Sequence, residues 1–214
     1  MKPVVETQDH FVVCEEKKGW ICEEVLQSGK RLEHSFPQPT KSLVARLLSG
    51  KLLMKEVPAG TNATIAAPQG KRLIRVEIQD KQIVGTRVSK IMGLIGATFD
   101  GGRVSASLTA FSVGQSIVHT VSGPGTIYFQ AESRSTKVLT ESSVGEESFD
   151  PRSIVCFGAG SEFVITSGRN FWSLFAGTWQ LELKSGWVVI DTGHGTSRGS
   201  GLGTMLKRAY LPWT

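Results

Sequence analysis

The sequence predicts a mainly β protein: an antiparallel β-sandwich with internally repeated strand units and one short helix near residues 40–50. Three observations carry this expectation. From residue 52 onward, short runs rich in Val, Ile, Thr and aromatic residues follow one another, each bounded by Gly, Pro or Ser. The 24 glycines fall mainly between those runs, where they are expected to supply positive φ angles at turns. Several segments also share one order: a glycine, a polar pair, then an apolar strand.

The elements follow from the N-terminus. "MKPVVETQDHFVVCEEKKGW" carries acids early and no apolar core of signal-peptide type, so it reads as neither a secretory signal nor a transit peptide. Trp20 sits in the charged stretch "CEEKKGWICEE", which reads as a solvated charge run or as a partner contact. "HSFPQPTKS", at 34–42, is turn-rich and closes an N-terminal extension over residues 1–39. In "TKSLVARLLSGKLL", Leu43, Val44, Leu47 and Leu48 recur at helical spacing, while Lys41, Arg46 and Lys51 lie largely off that stripe. Thr40 is placed to cap this helix and Gly50 to end it. So short a stripe suits packing on a sheet better than a membrane surface.

The strand runs then read "RLIRVEI", "RVSASLTAFSV", "SIVHTV", "TIYFQAE", "SIVCFGAG", "EFVIT", "WQLELK" and "GWVVID". Their spacing is that of a sandwich or barrel. "PAGTNATIAAPQGKRLIRVEI", "SGPGTIYFQAES" and "FAGTWQLELKSGWVVI" are the clearest instances of the shared order, so the sandwich domain, residues 40–195, is expected to hold an internal repeat, with two packed copies as one arrangement. Trp172, Trp179 and Trp187 fall in strand runs and read as core or sheet-face residues. A basic, glycine-rich tail, residues 196–214, ends the sequence.

Bulk properties narrow the function classes. A chain of 214 residues, 40% hydrophobic, can bury a sizeable core. Lys and Arg exceed Asp and Glu by 24 to 19, a formal charge of +5, which is only a mild lean toward anionic partners. Cys14, Cys22 and Cys156 form neither a disulfide framework nor a zinc spacing, and a reducing compartment fits them better. No apolar stretch approaches the roughly 20 residues that cross a bilayer as a helix.

Three strings invite a chemical reading. "VSGPGTIYFQ", at 121–130, places Gly123, Pro124 and Gly125 before a β-branched, aromatic run. A phosphate-binding loop needs its glycines to open a helix, so these three residues are read as a structural turn into a strand. "VVIDTGHG" presents Asp191 and His194. An aspartic protease would need a second Asp-Thr-Gly and more chain after this one, and a serine triad would need a nucleophile elbow that the sequence lacks. A hydrolase built on this pair is therefore the least favoured reading. His10, His34, His119 and His194 are scattered without metal-ligand spacing. The tail, "GTSRGSGLGTMLKRAYLPWT", combines Arg198, Lys207, Arg208, Tyr210 and Trp213 with no acid. Such a segment can follow a phosphate backbone and stack on bases, dock on a protein neighbour, or remain a solvated tail.

Taken in order, "SGKLLMKEVPAGTNATIAAPQGKRLIRVEI", "SVGQSIVHTVSGPGTIYFQAES" and "SVGEESFDPRSIVCFGAGSEFVIT" resemble the altered inheritance of mitochondria protein 24 family over roughly residues 42–195. The resemblance implies a β-sandwich related to the subunit of the tryptophan RNA-binding attenuation protein. It also implies a mitochondrial setting tied to inner-membrane organisation or the assembly of large complexes, with no catalytic residues. The chain departs from the pattern where the family commonly has Asp-Thr-Gly, reading Asp150, Pro151 and Arg152 instead.

The reading is thus a non-catalytic structural or assembly subunit, without cofactor or metal, acting through protein–protein surfaces. Its partners are other protein subunits of a larger assembly, with further copies of this chain among the candidates. The alternative is an RNA-binding protein of a mitochondrial ribonucleoprotein, contacting RNA through the tail or basic strand edges.

Overall fold

Alternating or uninterrupted apolar runs become strands, and the turn residues between them become bends. The structure, a computed structural model, describes residues 3–14, 16–28, 32–37, 53–79, 82–86, 88–104, 117–132, 135–143, 147–167 and 180–193. Its first strands are β1 (Val4–Gln8), β2 (His10–Cys14), β3 (Gly19–Ile21), β4 (Leu26–Ser28), β5 (His34–Ser35), β6 (Met54–Val57), β7 (Asn62–Ala66) and β8 (Arg72–Ile78). Next come β9 (Ile83–Thr86), β10 (Ile91–Ile95), β11 (Thr98–Val104), β12 (Ile117–Ser122) and β13 (Gly125–Ala131). The last are β14 (Thr136–Thr140), β15 (Ser148–Phe149), β16 (Ile154–Gly158), β17 (Glu162–Ser167), β18 (Gln180–Ser185) and β19 (Trp187–Asp191). The protein is mainly β, as expected, and among the described residues the helical pieces are short 3₁₀ turns such as Pro151–Ser153. The helix expected near 40–50 lies outside the described residues.

The strands form four antiparallel sheets. A seven-stranded sheet runs β1-β8-β13-β10-β3-β6-β5, and a six-stranded sheet runs β11-β12-β9-β16-β19-β14. Two three-stranded sheets, β2-β7-β4 and β15-β18-β17, complete the set.

Side-chain alternation decides how these sheets stack. On β13, Ile127, Phe129 and Ala131 join a central core, whereas Tyr128 joins a second core with Phe11, Val13, Ala63 and Ile65 of the β2-β7-β4 sheet. On β19, Trp187 and Val189 face the same central core, whereas Val188 and Ile190 meet Leu181, Leu183 and Phe149 of the β15-β18-β17 sheet. The two large sheets therefore pack face to face, and each carries a small sheet on its outer face. This makes a sandwich with a further layer on either side. It also explains why β10, β16 and β19 are buried along their whole length: a strand apolar on both faces needs a partner layer on each.

One pairing scheme recurs three times. β1–β2 runs out and β7–β8 returns, with β1 paired to β8 and β2 to β7. β10–β11 and β12–β13 repeat this, and so do β16–β17 and β18–β19. In each unit the base of a bent hairpin lies in one sheet and its tip in another. Of the segments with the shared glycine-led order, 58–78 spans β7–β8, 175–190 contains β18–β19, and 122–133 contains β13.

The N-terminal residues need a correction. Expected as an extension over 1–39, they supply β1 through β5, with Phe11, Val13, Trp20, Ile21 and Val25 buried. Their strands are only two to five residues long, which leaves little periodicity to read.

Candidate functional site

Glycine at the quoted turn is required by crowding. Gly123, Pro124 and Gly125 join β12 to β13 through a cis Gly123–Pro124 peptide, and the chain enters a strand as the sequence predicts. The positive φ expected of the turn glycines occurs at Gly60, Gly70, Gly96 and Gly186, but not at Gly125. A Cβ on Gly125 would stand 2.4 Å from both the amide nitrogen of Ala97 and the carbonyl oxygen of Ile95. Two backbones approach too closely there for any side chain.

Asp191 is buried at the end of β19, where one carboxylate oxygen accepts the Glu132 amide at 2.6 Å and the other accepts the Gly193 amide at 3.2 Å. These contacts tie the β13 and β19 ends together. His194 lies outside the described residues, as do Trp172 and Trp179 and the tail residues Arg198, Lys207, Arg208, Tyr210 and Trp213. Burial pushes the Cys156 thiol up, away from the reactive thiolate. His119, buried on β12, has its pKa lowered to about 4 by desolvation. Among the described residues no three His, Cys, Asp or Glu side chains converge as metal ligands.

The Asp150–Pro151–Arg152 turn is closed on itself. Asp150 caps the 3₁₀ turn through the Arg152 amide at 2.7 Å and is ion-paired with the Arg152 guanidinium, which raises the arginine pKa. Lys90 donates to the Ile154 carbonyl at 3.0 Å and to the Arg152 carbonyl at 3.4 Å, fastening this turn to the next strand.

Trp20 is also part of the framework. Its ring is buried, its Nε1 donates to Ser35 Oγ at 2.8 Å, and the Lys18 ammonium lies 5.3 Å from the ring centre. Lys18 in turn pairs with Glu56 at 2.7 Å, so the charged neighbours point outward while the indole points in.

Two surface features remain. The first is apolar exposure at sheet rims. Val4 on β1, Val12 on β2 and Val164 on β17 are exposed on outermost strands, Val12 by 68%. Phe36 and Leu53, also exposed, continue the β5–β6 register by one residue at another rim.

The second is a cleft of about 550 Å³ where the third hairpin unit bends. Gln79, Gln82, Glu141, Gly158, Ser185 and Trp187 are among the residues that line it. Ser161 braces it: its Oγ donates to the Trp187 carbonyl at 2.8 Å and accepts the Trp187 amide at 3.1 Å. Glu141 Oε1 accepts the Gly186 amide at 3.1 Å. Gly186 has φ +88, and a Cβ there would fall 2.4 Å from Ser161 Oγ. The sequence signals for this site are Gly158 and Gly160 before "SEF" and Gly186 before "WVVI", glycines that equally suit ordinary turns.

No family model matches the chain, and no curated protein matches it. Among solved structures it is similar to the crystal structure of Protein SPYM3_0169 from Streptococcus pyogenes, a structural-genomics target, with a TM-score of 0.55 at 12% identity over 99% of each chain. At that identity the likeness shows a shared fold spanning both chains.

Proposed function

We propose that this protein is a non-catalytic subunit of a larger assembly and works through protein–protein surfaces. The observation that supports the reading is the placement of its exposed apolar side chains. Among the described residues the large ones, Val4, Val12, Phe36, Leu53 and Val164, lie on or beside strands at sheet rims. An edge strand presents unpaired backbone groups, and proteins usually guard such edges with charge. Apolar side chains there suit strand addition by a partner, with backbone bonds giving affinity and side chains giving selectivity. The resemblance to the altered inheritance of mitochondria protein 24 family makes a mitochondrial complex the proposed setting.

The test is recovery of the tagged chain from its native cells, with and without nuclease, beside a Val12→Lys, Val164→Lys variant. Partners that survive nuclease and are lost from the variant, at an unchanged melting temperature, support the reading. Partners lost on nuclease treatment alone support the RNA-binding alternative, and a chain recovered alone refutes both.

A further inference from the structure

The cleft at the third bend carries an inference independent of the assembly surfaces. Its floor is Trp187, only 7% exposed, whose indole Nε1 lies beside Gly158. An indole nitrogen can only donate, so a ligand oxygen is the partner it would take.

The backbone keeps this donor reachable. A Cβ on Gly158 would stand 2.8 Å from Trp187 Nε1 and 3.1 Å from Cε2, so a side chain there would cover the N–H edge. Around this floor the cleft offers the Gln79 amide, the Ser185 hydroxyl and the second carboxylate oxygen of Glu141, whose first oxygen is held by Gly186. Its described lining contains an acid and no Lys or Arg. Among the described lining residues, no cation stands beside the Glu141 charge that a phosphate or carboxylate would meet. A neutral ligand whose hydroxyls both donate and accept matches every group present. The volume falls within the roughly 300–1,000 Å³ of small-molecule sites.

We propose that this cleft binds a neutral, hydroxyl-rich ligand of one or two sugar rings, with a ligand oxygen accepting from Trp187 Nε1 and ligand hydroxyls bonding Glu141, Gln79 and Ser185.

The test is an NMR titration of the ¹⁵N-labelled full chain, following the Trp187 indole N–H, assigned by its loss in Trp187→Phe. The probes are maltose, cellobiose and trehalose, with glucose 6-phosphate as the anionic comparison. A saturable shift of this resonance with at least one neutral disaccharide, larger than with glucose 6-phosphate, is expected. Gly158→Ala should abolish it. Because that variant can also disturb the bend, Ser185→Ala serves as the second: it should leave the melting temperature unchanged and weaken binding about 5-fold, the worth of one neutral hydrogen bond. No saturable shift with any of the three disaccharides, a stronger response to glucose 6-phosphate, or unchanged affinity in both variants would overturn the proposal.

Discussion

The burial of His119 makes acid stability a direct measure of the central core. On β12 this residue stands opposite Thr86 of β9, which stands opposite Cys156 of β16, so the three side chains form a row on one face of the six-stranded sheet. Cys156 belongs to the core between the two large sheets, and the row therefore faces inward. His119 is 4% exposed, and its Nδ1 has no partner among the described residues. A proton added there would create a buried cation with no carboxylate bonded to it, and desolvation accordingly lowers the pKa from 6.5 to about 4. Below pH 6.5 the unfolded chain takes up a proton that the native state refuses. Stability is thus fully present above the unfolded pKa and falls as the pH drops through the window toward 4. A gap of about 2.5 pKa units at about 1.36 kcal/mol each gives a total loss of about 3 kcal/mol, of which about 2 kcal/mol is gone by about pH 5. The assay is urea denaturation of the wild type and of His119→Gln between about pH 7.5 and 5, compared as a difference so that groups common to both cancel. The variant should gain on the wild type by about 2 kcal/mol as the pH falls. Parallel profiles, or an imidazole titrating near its ordinary value in the folded protein, would refute the reasoning.

Two further outcomes test the framework. Gly125→Ala should destabilise as severely as Gly125→Val, by about 3 kcal/mol or more, because the first carbon already overlaps the Ile95–Ala97 backbone. Gly70→Ala, where φ is +77 and the space is open, should cost only about 1–2 kcal/mol of conformational strain; equal losses in chemical denaturation would show that crowding is not the cause at Gly125. Asp191→Asn replaces an accepting oxygen with a donating amide beside the Glu132 or Gly193 amide. It should lower stability by about 1–3 kcal/mol, and a hydrolytic turnover that disappears in this variant would overturn the non-catalytic reading.

Much of the fold was legible because its strands are bounded by turn residues and carry few ambiguous positions. "RLIRVEI" coincides with β8, and "GWVVID" contains β19. The extra layers were legible in principle. "IMGLI", "IVCFG" and "WVVI" are runs without a polar alternate, the pattern of a strand covered on both faces. What the sequence concealed was the role of residues 4–37. Their two- to five-residue strands bury a few side chains each, and Trp20 is screened from recognition by charged neighbours whose ends point to solvent.

The chemistry was legible in kind and obscure in cause. Gly125 reads in the sequence as part of a structural turn, but positive φ and close approach leave the same letter there. Only the distances to Ile95 and Ala97 separate them. The same ambiguity hid the cleft. Gly158 and Gly186 look like ordinary strand-ending residues, and Trp187 looks like an ordinary core aromatic, which its burial bears out. Periodicity places a ring on a face of a sheet but says nothing about where its single polar atom points. That direction follows from the absence of a Cβ at Gly158, on the neighbouring strand β16, which pairs with β19 across a bulge. A position that is featureless in sequence thereby exposes the only donor of a buried side chain. This is why substitution at Gly158, remote in sequence from Trp187, is the sharpest way to separate a binding floor from a merely packed ring.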